Sequence, residues 1–155
     1  MKYIGKNYWL MKSEAEMFSI NDFKKEKRTI WTEVRNYQAR NLMRDGMTVG
    51  DYFLFYHSSS EPTGVAGLGI IAKTGIPDPT ALDKTSEYFD KKATLANNPW
   101  VTVEVKFIEM LPRVITLAEI KLNPILKKMT LVQKGSRLSI QPVKKEEFME
   151  ILKML

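Results

Sequence analysis

The apolar pattern opens with Tyr8-Trp9-Leu10-Met11, a short continuous run of strand type. Ser19, with Asp22 three residues on, has the spacing of a capping box and starts a helix reaching about Lys27. Arg28-Thr29-Ile30-Trp31 reads as another short strand, and Asn36 to Arg44 has helical spacing stopped by Gly46. Asp51 to Tyr56 is a run of aromatic and apolar residues, hence a strand. After a Ser/Pro/Gly loop at 58–64, Val65 to Ala72 predicts the next. Residues 74–99 hold Pro77, Pro79, Pro99 and the pair Asn97-Asn98, a long loop of the kind that compact domains keep for function. Val101 to Phe107 alternates cleanly and predicts a half-buried strand. Thr116 and Asn123 are N-cap candidates, the latter with Pro124 at the first helical position. A last helix spans about Lys144 to Met154, with Phe148, Ile151, Leu152 and Leu155 on one face. Strands dominate the middle without regular βαβ alternation, which predicts an α+β fold: a small curled sheet or barrel flanked by helices. Trp9, Phe53, Phe55, Val103, Val105 and Phe107 are expected to share its core.

The chain has 155 residues, the length of a single domain over 1–155. No stretch approaches the roughly 18 uninterrupted apolar residues of a spanning helix, so no membrane partner is expected. The first residues lack an apolar signal region. There is no cysteine and one histidine, His57, which excludes disulfides, thiolate nucleophiles, cysteine zinc sites and sites built on two or three histidines. The expectation is a reducing, cytoplasmic location with no metal and no cofactor. Net charge is +6. Residues 1–50 and 101–155 each carry ten basic and six acidic side chains, against four and six in 51–100. A fold that joins the two ends would create a basic face that attracts nucleic acid; lysines present for solubility are the alternative.

Two apparent motifs carry little. Gly67-Leu68-Gly69-Ile70-Ile71-Ala72 matches a dinucleotide fingerprint in letters only, because no helix has room to follow it. It reads instead as a strand thinned by glycine where another element packs closely. His57-Ser58 lacks the strand-turn-helix elbow of a nucleophile. Thr29 to Asn41 differs in kind. It crowds Trp31, Tyr37, Arg35, Arg40, Asn36, Gln38 and Asn41 into thirteen residues. Flat rings stack on a base, amides pair with its edge, and arginine holds phosphate. The competing reading makes Trp31 core and the polar groups helix caps.

Tyr8 to Glu14, the run from Trp31 to Asn41, Leu54 to Ser58, Pro77 to Ala81 and Arg137 to Val143 resemble, in that order, the EVE domain family. The chain departs from the family's pattern at Ala15, where proline is usual, and at Thr32-Glu33, where an acidic residue and glycine are common. The resemblance implies a PUA-like fold, a curled mixed β-barrel of five to six strands flanked by helices and related to YTH domains that read methylated adenine. It also implies a non-enzymatic reader of a modified base, chiefly modified cytosine, in DNA or RNA. By the same resemblance Lys12-Ser13 is the pair after the first strand and Trp31 a wall of the base cage. The expected base pocket is Trp31, Tyr37, Ser13, Asn36, Gln38, Asn41, His57, Ser58 and Tyr88, with Trp100 competing with Tyr88 for the second wall. Lys12, Arg35 and Arg40 are the expected phosphate contacts, lining one positive concavity. Two alternatives stand beside this: a small ASCH-like amidohydrolase using Lys12 and Glu14 on a modified nucleoside, and a protein-interaction domain with a solvated basic face.

Overall fold

The computed structural model describes residues 2–155. Helix α1 (Ile20–Glu26) starts where the capping box predicts: the Ser19 hydroxyl accepts from the Asp22 N–H and the Asp22 carboxylate from the Ser19 N–H. Helix α3 (Leu117–Leu122) repeats the device with Thr116 and Glu119. Asn36 caps α2 (Tyr37–Asn41), which is shorter than its pattern predicts and continues as a π-helical turn, Leu42–Gly46. A Cβ at Gly46 would lie 2.9 Å from Trp9 Cη2, so the chain must be bare there. Helix α4 (Lys145–Lys153) buries Phe148 and Ile151, while Leu155, expected on the same face, is exposed. Asn123 caps a 3-10 turn, Pro124–Leu126, rather than a longer helix.

The six strands are β1 (Tyr8–Glu14), β2 (Arg28–Ile30), β3 (Tyr52–Ser58), β4 (Gly64–Pro77), β5 (Val101–Thr116) and β6 (Ile140–Val143). They form one mixed sheet in the order β2-β5-β4-β3-β1-β6, with β1 and β3 parallel and the other pairs antiparallel. The sheet is open, so the architecture is α+β and PUA-like without the closed barrel the resemblance implies. Its edges, β2 and β6, are only three and four residues long and lie at opposite ends of the strand order. Strands β4 and β5 outrun their alternating patterns. Gly75, at φ +70°, lets β4 bulge and rejoin β5 at Ile76 and Pro77. The long loop therefore begins at Asp78.

Both faces of the sheet are covered. Tyr8, Leu10, Leu54 and Val65 pack under α3 and α4, against Ile120, Phe148 and Ile151. Trp9, Met11, Phe53 and Phe55 pack under α1 and α2, against Ile20, Phe23 and Met43. The six residues predicted to share a core do so on this second face, Phe107 at its half-buried margin. A bulge at Ile108 exchanges the faces of β5: Val103 and Val105 lie on one side, Leu111 and Ile115 on the other. The glycines of the false fingerprint have the predicted cause. A Cβ would lie 2.8 Å from Ile20 Cγ1 at Gly67, and at Gly69 it would meet the Phe53 ring, 2.5 Å from Cε1, as well as Phe23 Cε2 at 3.0 Å. Their absence seats α1 on the sheet and buries Phe23, a side chain that contributes roughly 1.5–3 kcal/mol.

Candidate nucleic-acid-binding cleft

A cleft of about 450 Å³ opens where the parallel strands β1 and β3 end. Lys12, Ser13 and Glu14 come from the end of β1 and Ser58 from the end of β3. The turn after β1 adds Met17 and Phe18, the chain after β2 adds Trp31 to Arg35, and the long loop adds Tyr88. The Ser13 hydroxyl donates to the Phe18 carbonyl at 2.6 Å and so folds the turn that presents Phe18. Trp31 is pinned through its backbone, its N–H donating to the Val103 carbonyl and its carbonyl accepting from the Thr102 hydroxyl. Its ring is 7% exposed and meets Phe18, Phe53 and Phe55 at near-perpendicular angles. Trp31 is therefore both a core residue and a cleft wall, and the choice posed by the sequence dissolves. The indole N–H groups of Trp9 and Trp100 donate to Asp51 and Asp90; that of Trp31 has no acceptor among the described residues.

Arg35 lines this cleft in a different role from the one expected. Its five N–H donors are all engaged: Nε and Nη2 with the Tyr88 carbonyl, Nη2 with Thr80 Oγ1, Nη1 with the Val34 carbonyl and with Asp78 Oδ2. Asp78, 1% exposed, also accepts from the Glu33 N–H and from the Thr80 N–H and hydroxyl. The pair bolts the long loop to the segment after Trp31 and sets Tyr88 at the cleft, and no donor remains for phosphate. Asp78, Phe18 and Glu33 are site residues that sequence reasoning missed. The signal that could have found Asp78 is its place before Pro79 and Thr80, an N-cap pattern, and its carboxylate does accept from the Thr80 N–H.

Several candidates lie outside the cleft. Tyr37 is 57% exposed and stacks on Trp100, centroids 4.7 Å apart. The Arg40 guanidinium lies over the Tyr37 ring, 4.9 Å from its centroid, and donates to the Pro99 carbonyl. Trp100 borders a neighbouring groove instead. The Asn36 amide oxygen is used in capping α2, and the Asn41 amide oxygen accepts from Arg40. Gln38 is exposed on α2, away from the cleft. His57 Nε2 accepts the N–H of Ile20 at 3.0 Å, supporting the start of α1. That bond needs a neutral ring, and burial holds its pKa below the ordinary histidine value.

The cleft is not the positive concavity expected. Lys12 and the neutralised Arg35 face Glu14, Glu26 and Glu33. Lys12 is half-buried, has no ion pair among the described residues, and has its pKa lowered by burial. Lys12 and Glu14 share the cleft without forming an ion pair. Glu33 sits at φ +76°, a conformation that favours glycine, at a position where the family pattern commonly has one. Burial, then the charges of Asp78 and Glu87, raise its carboxyl above the usual range. Burial also raises the Tyr88 phenol, followed by the charges of Glu33, Glu87 and Glu14.

An open mixed sheet covered on both faces, with a ring-lined cleft at the end of its one parallel pair, defines the PUA-like class. The EVE domain model matches residues 7–154, and the chain belongs to the EVE domain family. Human thymocyte nuclear protein 1 is 40% identical to it, over 96% of this chain and 73% of that protein. A hypothetical protein from Leishmania major superposes with a TM-score of 0.92 at 50% identity, covering 99% of this chain and 96% of that one. The human THYN1 protein, crystallised in complex with DNA containing 5-methylcytosine, superposes with a TM-score of 0.88 at 39% identity, covering 96% and 97%.

Proposed function

We propose that this protein is a non-enzymatic reader of modified DNA that takes one extruded or single-stranded modified cytosine into the cleft. The observation that carries the reading is the meeting of Trp31, Phe18 and Tyr88 with the unpaired Lys12 in one space of about 450 Å³. That is the size and lining of a small-ligand pocket. Stacking a base on such rings contributes roughly 1–3 kcal/mol, and a methyl on the base adds apolar burial at ~25 cal/mol per Å². The free indole N–H of Trp31 and the remaining lone pairs of Ser13 are the polar groups offered to the base edges. Lys12, with the exposed Lys24, Lys25 and Lys27 of α1 and its end, offers charge to phosphate. The complex of the human relative with 5-methylcytosine DNA supports the same ligand class here.

The test is fluorescence anisotropy with DNA and RNA oligonucleotides carrying cytosine, 5-methylcytosine, 5-hydroxymethylcytosine or N6-methyladenine. The expected outcome is tightest binding to DNA with a modified cytosine, by about tenfold over cytosine. Equal affinity for every oligonucleotide would refute the reading. Turnover of an acylated cytidine would replace it with the amidohydrolase.

A further inference from the structure

We propose that Glu33 reads the amino edge of the cytosine, its carboxyl accepting from the exocyclic N4 amine and, when protonated, donating to N3. The proposal rests on the cleft being a cytosine pocket. Three carboxylates line the cleft, and they are not equivalent. Glu14 and Glu26 are exposed, whereas Glu33 is half-buried. The Glu33 carboxylate has no hydrogen bond or ion pair among the described residues. Its backbone is fixed instead: the N–H donates to buried Asp78 at 2.8 Å, and the residue lies two positions after Trp31. The left-handed φ of +76° is costly for any side chain and free for glycine. A position that favours glycine yet holds an unpaired, half-buried carboxyl is best explained by what that carboxyl binds.

Cytosine supplies the complement. A glutamate accepting from cytosine N4 is a standard base-edge pairing, and a protonated carboxyl adds a second bond to the N3 lone pair. Thymine presents its O4 acceptor in place of the amine, against a carboxylate oxygen. The groups facing Glu33 are Asp78, Glu87 and Tyr88, with Arg35 as the opposing cation; Lys12, Glu14 and Glu26 share the cleft. Burial and the two neighbouring carboxylates together hold the proton on Glu33 to higher pH than on an ordinary glutamate. Binding a ligand that uses that proton takes up further protons, so affinity should rise as pH falls.

Oligonucleotides bearing one 5-methylcytosine or one thymine test this directly, because the two bases share the methyl and differ on the edge in question. The wild-type protein should prefer 5-methylcytosine by about tenfold or more, within the range of one bidentate base contact, and its affinity for 5-methylcytosine should rise from about pH 8 to about pH 6. Glu33→Ala should bring the ratio near one. Glu33→Gly should do the same while relieving the backbone, which guards against a folding defect. Glu33→Gln, whose amide oxygen accepts from N4 and whose amide N–H₂ donates to N3, should keep the affinity for 5-methylcytosine and lose its pH dependence. An alanine or glycine variant that keeps the full preference overturns the role of Glu33 and leaves the pocket standing. Failure of the wild-type protein to bind 5-methylcytosine DNA overturns both.

Discussion

Replacing Trp31 with alanine perturbs the two functions of this residue separately. In folding, the lost indole contacts Phe18, Phe53 and Phe55, and the ring is 7% exposed. Truncation of a fully buried tryptophan costs ~3–5 kcal/mol. Because this ring borders a cleft that water enters, part of the vacated space is refilled, and the expected loss is about 3 kcal/mol, at the low end of that range. For a chain of this size that lowers Tm by about 6–12 °C. In binding, the base loses one stacking face, a further ~1–3 kcal/mol or about five- to 150-fold in Kd. Urea titration gives the first quantity. Oligonucleotide titration well below the variant's Tm gives the second, free of the unfolded fraction. Trp31→Phe is the partner measurement, since a phenyl ring keeps most of the core contact and a smaller stacking face. An unchanged Tm in Trp31→Ala would refute the core role, and unchanged affinity in the folded variant would refute the wall.

Arg35→Lys leaves buried Asp78 and the Tyr88 carbonyl short of donors that a single ammonium cannot replace. The expected loss is about 1–3 kcal/mol, with hydrogen exchange rising in residues 78–100 before the sheet. His57 gives a pH signature. Its folded pKa lies below the ordinary histidine value of about 6.5, so the unfolded chain takes the proton first. The stabilisation is complete above that value and is lost as the pH falls from it through the lower folded value. Melting curves between about pH 7.5 and about pH 5 should show the loss, and His57→Gln, which keeps an acceptor for the Ile20 N–H, should flatten it. Glu33→Gly should leave Tm unchanged or raise it by up to a few degrees, since relief of the left-handed backbone (~1–2 kcal/mol) is offset by the entropy of glycine (~0.5–1 kcal/mol); a fall in Tm would show that the side chain stabilises the fold.

What the sequence disclosed was local. The capping box at Ser19, the N-cap at Thr116 and the alternation from Val101 to Phe107 each depend on residues within a few positions of one another. Where an element's extent depends on a partner far along the chain, local pattern stopped short. Strand β5 runs on to Thr116 because a bulge at Ile108 resets its alternation against β4. The site divides along the same line. Lys12, Ser13, Trp31 and Ser58 were reachable through the family's ordered motifs and Tyr88 through the long loop, and all line the cleft. Tyr37, Asn36, Gln38, Asn41 and Arg40 share the composition of a base site, but α2 turns them to caps, solvent or the stack on Trp100. Arg35 and Asp78 belong to distant motifs, and only their meeting across the fold reveals that each engages the other.

That pairing changes where affinity in the cleft must originate. With Arg35 neutralised by Asp78, Lys12 stands alone against Glu14, Glu26 and Glu33, and phosphate attraction inside the cleft is weak. A protein that bound nucleic acid there chiefly through charge would need several unpaired cations and would show a steep salt slope, roughly one unit of log affinity per phosphate neutralised. One buried-edge lysine and the exposed lysines near α1 give few such contacts. For the proposed reader, stacking on Trp31, Phe18 and Tyr88, with edge contacts to a single base, would then be the main source of binding free energy. Contacts of that kind distinguish one base from another, while phosphate contacts do not. A cleft of low positive potential therefore favours discrimination over grip, and the salt slope should be shallow for the modified base and steeper for non-specific DNA held on the lysine-rich exterior.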